Sequence, residues 1–233
     1  MHPQRSVRQA LGLGLLVALV VLALSACGGG ENEAKARPLP EDPQALRPGK
    51  YHSEEFQPSL SFRVGKGWKN EPPELPDDLA ITRGALGGVG FTNVQEAFKP
   101  TKTGTANVVE SPKDMVGWFE RHPYLQTDKP EPVTVGGVKG EQLDVVVEDV
   151  PEEYSGLCSM GPGPDECVDL FRLSSGLPGG LIAQYEGDKV RVIVLEDVKE
   201  KTVTIGIFSR ATTFDEFLPK AQKVLDSVKW RGL

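Results

Sequence analysis

The residues with the most chemistry to offer are three cysteines, Cys27, Cys158 and Cys167, and an acidic group gathered around the last two. Glu148, Asp149, Glu152, Glu153, Asp165, Glu166 and Asp169 bracket that pair, so closing the loop between the thiols would gather carboxylates. Calcium takes several oxygen ligands, but the spacing matches no D-x-D-x-D-G loop, and a solvated acidic face is the expectation. Zinc fits less well, because the cysteines lack C-x2-C spacing and no histidine lies near them. Beyond His2 the histidines are His52 and His122. G-x-S-x-G, G-x-x-x-x-G-K-S/T and H-E-x-x-H are all missing, and with them the commonest signatures of acyl transfer, phosphate binding and zinc hydrolysis. His122 follows a predicted helix, where a partly protonated imidazole would suit the helix dipole. His52 is expected at a strand edge. The chain therefore reads as non-enzymatic, with no cofactor and no metal.

Tyr154, Leu157, Met160, Pro162 and Pro164 share the excursion that carries the cysteine pair. Apolar residues on an exposed, cross-linked loop can form a docking surface. The alternative is that they cover the core. Tyr154, Leu157 and Met160 are the candidate partner-binding residues.

At the other end, Arg5 and Arg8 precede an apolar run from Ala10 to Leu24, followed by Leu24-Ser25-Ala26-Cys27. A basic start, an apolar core and a small-residue cleavage site are the parts of a secretory signal. Ending it on L-S-A-C makes it resemble a bacterial lipoprotein signal. The resemblance implies that residues 1–26 are removed, that Cys27 becomes the first residue and carries diacylglycerol, and that the lipid holds the protein on the extracytoplasmic face of a bacterial membrane. At about 15 residues the run is short of the roughly 20 that span a bilayer as a helix. In an exported chain, the remaining pair, Cys158 and Cys167, reads as a disulfide.

Arg5 and Arg8 are the only lysines, arginines or acidic residues within 1–26, so the remainder holds 24 basic and 33 acidic groups, a net charge of −9. That balance disfavours nucleic acid and leaves membrane attachment to the lipid rather than to a basic patch. The expected partners are the membrane, through the anchor, and an unidentified protein or envelope component.

Residues 27–48 read as the lipidated cysteine and a flexible tether, because Gly28-Gly29-Gly30 is followed by Pro38, Pro40, Pro43 and Pro48 with little to pack. Residues 49–233 read as one domain. Leu60–Val64, Leu79–Thr82 and Val89–Val94 are strand candidates. A helix is expected after Ser111-Pro112, with Met115, Trp118, Phe119 and His122 at helical spacing and Pro123 as its stop. Val133-Thr134-Val135 and Val138 flank Gly136-Gly137, a hairpin signal, and Gln142–Val147 continues its second arm. Val168–Leu173, Val190–Leu195 and Thr202–Phe208 read as further strands. Phe214, Phe217, Leu218, Ala221, Val224, Leu225 and Val228 form a helical stripe. Thr213 and Glu216 match a capping box, and Pro219 either starts that helix or kinks it.

This order of elements, with Thr134-Val135-Gly136-Gly137 and Leu225-Asp226-Ser227-Val228, resembles the PsbP-like α/β/α sandwich of the extrinsic photosystem II subunit and of LpqN-type mycobacterial lipoproteins. The resemblance implies an α+β fold, an antiparallel β-sheet flanked by helices, that acts by docking to partners. The leading expectation is a lipid-anchored, extracytoplasmic, non-enzymatic docking module of the cell envelope. The alternative is a carrier or sensor of a small apolar ligand in a pocket between sheet and helix, lined by Trp118, Phe119 and Phe217. Cys27→Ser is expected to abolish labelling by a fatty-acid analogue and release the protein from the membrane; equal labelling of both forms would remove the anchor.

Overall fold

Strand alternation accounts for most of this chain's architecture, because period-two side chains can bury one face of a sheet at a time. The computed structural model describes residues 35–71, 74–103, 108–154, 156–158, 167–173 and 181–232. The chain runs through β1 (Arg37–Pro38), β2 (Gly49–His52), β3 (Leu60–Val64), β4 (Lys69–Glu71), β5 (Asp78–Thr82) and β6 (Gly88–Asn93). It continues through β7 (Glu96–Phe98), β8 (Val108–Glu110), helix α1 (Met115–Glu120), β9 (Leu125–Thr127), β10 (Glu131–Val135) and β11 (Val138–Val147). Then come β12 (Cys167–Arg172), β13 (Leu181–Tyr185), β14 (Asp188–Leu195), β15 (Val203–Arg210), helix α2 (Phe214–Leu225) and β16 (Lys229–Trp230). Of the two units into which the chain divides, Met1–Lys35 and Ala36–Leu233, only the second is described below.

A central antiparallel sheet has the order β10-β11-β14-β15-β6-β5-β4, with β9 also paired to β11. Two smaller sheets have the orders β1-β2-β3-β16 and β13-β12-β7-β8. One face of the central sheet presents Leu79, Ile81, Val89, Phe91, Val203, Ile205 and Ile207 to a core shared with β3, β16 and α2. Phe91 sits at its middle, with ring centroids 6.4 Å from Phe62, 6.5 Å from Phe56 and 6.4 Å from Trp230. The Trp230 indole Nε1 donates to the Val135 carbonyl at 3.1 Å. The opposite face has its own core, in which Leu143, Val145, Val192 and Val194 meet Ala97, Met115, Phe119, Val168, Leu170 and Phe171.

The Gly136-Gly137 hairpin forms as the sequence indicates, with φ of 59° and 88° at the two glycines. At Gly136 a Cβ would also meet the Trp230 ring at 2.8 Å. The strands expected around residues 60–64, 79–82, 89–94, 142–147, 168–173, 190–195 and 202–208 are present. Pro219 lies inside α2, and Thr213 caps it without a side-chain hydrogen bond. The Thr213 hydroxyl instead pairs with Ser209 at 2.9 Å. In α1 the cap is Asp114 rather than Ser111, its Oδ1 accepting from the Gly117 N–H at 2.8 Å.

Two expectations are overturned. An α+β sandwich, one sheet flanked by helices, does not form: among the described residues strand far outweighs helix, with three sheets and two helices of 6 and 12 residues. Where a helical layer was expected, the β13-β12-β7-β8 sheet covers the second face together with α1. The tether also ends earlier than residue 48. Arg37 donates to the carbonyls of Arg47 and Pro48 at 2.9 and 3.0 Å and lies over the Tyr51 ring, and Leu39 and Leu46 are buried. Two leucines among the prolines are enough to seat this stretch on the core.

Cys158 and Cys167 are disulfide-bonded. Asp169, two residues into β12 from Cys167, is buried and accepts the N–H groups of Leu157 at 2.7 Å and Cys158 at 3.0 Å. Replacing both cysteines by alanine is expected to cost about 2–3 kcal/mol in urea denaturation, the loop-closure value for so short a loop. The fold should persist, because both cores lie beyond the bridge; global unfolding of the double variant would contradict this.

Candidate functional site

The second face of the central sheet is filled at β11 and β14 but not at β15, β6 and β5. There the inward positions are small or polar. Ala80 pairs with Gly90, Gly90 with Gly206 and Gly206 with Val192, a single cross-strand row. Two residues along, Asp78 pairs with Thr92 and Thr92 with Thr204. Direct cross-strand partners share a face at Cβ separations of about 4.5–5.5 Å. Over these rows lies a cavity of 1410 Å³, roofed by β12 and β13 through Leu170, Phe171, Ile182 and Gln184. Leu157, Tyr185 and Phe208 also line it. It exceeds the roughly 300–1,000 Å³ of ordinary ligand sites.

Its electrostatics are one-sided. Among the described lining residues are four carboxyl groups, Asp78, Glu96, Glu110 and Asp188, and one guanidinium, Arg172. Arg172 is ion-paired with Glu96, its neighbour across the β12–β7 register. Asp188 pairs with Arg210 at 3.4 Å, and burial raises its pKa against that pull. Burial pushes the Asp78 carboxyl up to about 7 against the Thr92 hydroxyl, which donates to its Oδ1 at 3.0 Å; the neighbouring Asp77 adds to the rise. Thr204 is buried, and its Oγ1 has no hydrogen-bond partner.

The sequence-predicted residues are only partly brought together here. Leu157 is exposed at the cavity, and Cys158 lines it. Tyr154 is half-buried, its ring against Tyr124 and its hydroxyl accepting from the Asp169 N–H at 3.3 Å, so it covers the core. Met160, Asp165, Glu166 and Cys27 lie outside the described residues. Asp169 does not belong to a solvated acidic face; it organises the disulfide loop from inside. Among the described residues, no group of three or more His, Cys, Asp or Glu side chains is placed to hold a metal ion, and no helix is long and apolar enough to cross a membrane.

His122 is packed as expected, but in the opposite protonation state. It is buried against Trp118, its Nδ1 accepts from the Tyr124 N–H at 3.3 Å, and desolvation pushes its pKa down to about 4. His52 is half-buried on β2 and pairs with Glu54 at 3.2 Å. The cavity is also not where a ligand site was expected. It lies between two sheets; Phe119 lines it, but Trp118 packs on Phe171 and Phe217 belongs to the other core. Asp78, Thr92 and Thr204 were missed. The available signal was the run of small or polar residues at alternate positions, Asp78, Ala80, Gly90, Thr92, Thr204 and Gly206.

No family model and no curated protein matches this chain. Among solved structures it is similar to the solution structure of cyanobacterial PsbP (CyanoP) from Synechocystis sp. PCC 6803, with 11% identity over 89% of this chain and 99% of that one, and a TM-score of 0.38. A likeness at that score carries no argument about fold or function.

The raised Asp78 pKa has a defined sign. The folded protein keeps this proton where the unfolded chain, near the ordinary value of 3.8, has released it. The stability it contributes is therefore full below the unfolded value and is lost as pH rises through the folded one. Asp78→Asn is expected to gain roughly 1–2 kcal/mol on wild type between weakly acidic and weakly alkaline pH, a discounted figure because the carboxyl opens onto the cavity. His122 titrates with the opposite sign and cancels in this difference. Urea denaturation across that range checks it, and a pH-independent difference would contradict the burial of Asp78.

Proposed function

We propose that this chain is a lipid-anchored, extracytoplasmic binding module, not an enzyme, that carries or senses a small apolar ligand held between the central sheet and the β13-β12-β7-β8 sheet. The facing pair Gly90 and Gly206 is the observation that supports it. A strand glycine costs about 0.5–1 kcal/mol relative to alanine and often marks a place where something else approaches closely. At Gly88 and Gly140 the reason is internal: a Cβ would strike the Phe208 ring at 2.3 Å or the Val194 carbonyl at 2.1 Å. Gly90 and Gly206 have no such reason. Neither has a left-handed φ, and a Cβ would meet only Phe208 at 3.9 Å or Val190 at 3.7 Å. Their missing side chains leave room above the sheet. Anchoring and export rest on the L-S-A-C signal, and the disulfide is consistent with an oxidising compartment.

Docking to a protein or envelope component is the second reading, and one observation favours it. The exposed large hydrophobics among the described residues, Val109, Leu157 and Tyr185, all lie on or beside the β13-β12-β7-β8 sheet. An apolar rim of that kind suits either a partner surface or the mouth of a ligand site.

Gly90→Leu and Gly206→Leu separate the two readings. In the whole chain carrying Cys27→Ser, purified without detergent, the uncharged apolar dye Nile red is expected to bind wild type and to lose about tenfold or more in affinity in either variant. Melting temperatures should hold or rise, since a β-compatible side chain replaces a strand glycine. Unchanged dye binding in stable variants would overturn the carrier reading and leave docking.

A further inference from the structure

The deep end of the cavity is more specific than its volume. Thr204 is 5% exposed, lines the cavity, and has an Oγ1 with no hydrogen-bond partner. An unpaired buried hydroxyl is costly and uncommon in a native fold. It stands directly across from Thr92, whose own hydroxyl is committed to Asp78 Oδ1 at 3.0 Å. The Asp78 carboxyl that receives this bond lines the cavity. One end of the floor thus carries an unpartnered hydroxyl on β15 and, two strands away with Thr92 of β6 between them, the Asp78 carboxyl on β5. The adjoining Ala80–Gly90–Gly206 row is smooth and apolar, and Leu157, Tyr185 and Phe208 also line the cavity.

Resting on the cavity reading above, we propose that the ligand is an alcohol: an apolar molecule whose hydroxyl sits on the Asp78–Thr92–Thr204 row, with carboxylate and phosphate heads rejected. A hydroxyl both donates and accepts. It pairs with the Thr204 hydroxyl, which otherwise has no partner, and as a small neutral head it sits beside the Asp78 carboxyl of the same row without charge repulsion. An ammonium carries three donors and no acceptor, so it cannot take the proton of the Thr204 hydroxyl. An anion fares worse. The described lining has four carboxyl groups against one guanidinium, and Glu96 already holds that guanidinium. A site built to hydrogen-bond a hydroxyl discriminates strongly against analogues that cannot complete the pattern.

The test is displacement of Nile red from the whole chain carrying Cys27→Ser, near neutral pH, by decan-1-ol, decanoate, decyl phosphate and decylamine. These share one tail and differ in the head. Decan-1-ol is expected to displace the dye at concentrations at least about tenfold below those of the two anions, and below that of the amine. Thr204→Val and Asp78→Asn should shrink the advantage over decanoate to within about threefold, and Thr204→Ser should retain it. If wild type fails to bind the dye, or the Gly206→Leu variant binds it equally, the cavity reading falls and this inference with it. If the dye binds in the cavity but the alcohol and the anions displace it equally, or an anion or the amine displaces it best, the cavity reading stands and the alcohol assignment is overturned.

Discussion

The two faces of β5, β6 and β15 are chemically unequal, and the rest of the structure follows from that inequality. Side chains along a strand alternate strictly, so a register that sends Leu79, Ile81, Val89, Phe91, Val203, Ile205 and Ile207 to one side sends Asp78, Ala80, Gly90, Thr92, Thr204 and Gly206 to the other. A one-residue slip would exchange the sets. Phe91, packed between Phe56, Phe62 and Trp230, makes that slip costly, because it would give up all three of these contacts. The rigid core on one face therefore fixes the small and polar floor on the other.

The covering of that floor is built differently from the core below it. The β13-β12-β7-β8 sheet has two three-residue strands and a register shift between Asp169 and Phe171. It is secured at chosen points instead: the disulfide, the two N–H groups gathered by Asp169, and the Glu96–Arg172 ion pair. Such local fastenings hold a roof in position without filling the space beneath it. They also place Leu157 at the cavity, since the carboxylate that receives its N–H belongs to the roof strand β12.

Much of this was legible in the residues. Alternation marked the long central strands, Gly136-Gly137 marked the hairpin, and the Phe214–Leu225 stripe marked α2. The Cys158–Cys167 pair followed from parity, once Cys27 was set aside. The second small sheet did not show, because Glu96–Phe98 and Val108–Glu110 are too short for any period to emerge and β12 is buried along its first five residues. A sheet was therefore replaced by an expected helical layer. Asp169 looked like one more surface acid, since nothing in its neighbours tells a buried carboxylate from an exposed one before its donors are known. Gly90 and Gly206 passed as ordinary strand residues. Only the opposing register shows that they face each other with nothing to avoid.

The pairing of β16 with β3 has a consequence for how the domain comes into being. Strand β3 lies near the start of the folded unit, yet its partners Lys229 and Trp230 are made more than a hundred residues later, on the order of ten seconds at ordinary synthesis rates. Until Trp230 arrives, Phe91 lacks one of its three aromatic neighbours and the Val135 carbonyl lacks its donor. The β1-β2-β3 edge thus remains incomplete throughout synthesis, and closure is deferred until nearly all of the folded unit is available. Such long-range closure slows folding, because the loop entropy is lost before the contact is gained.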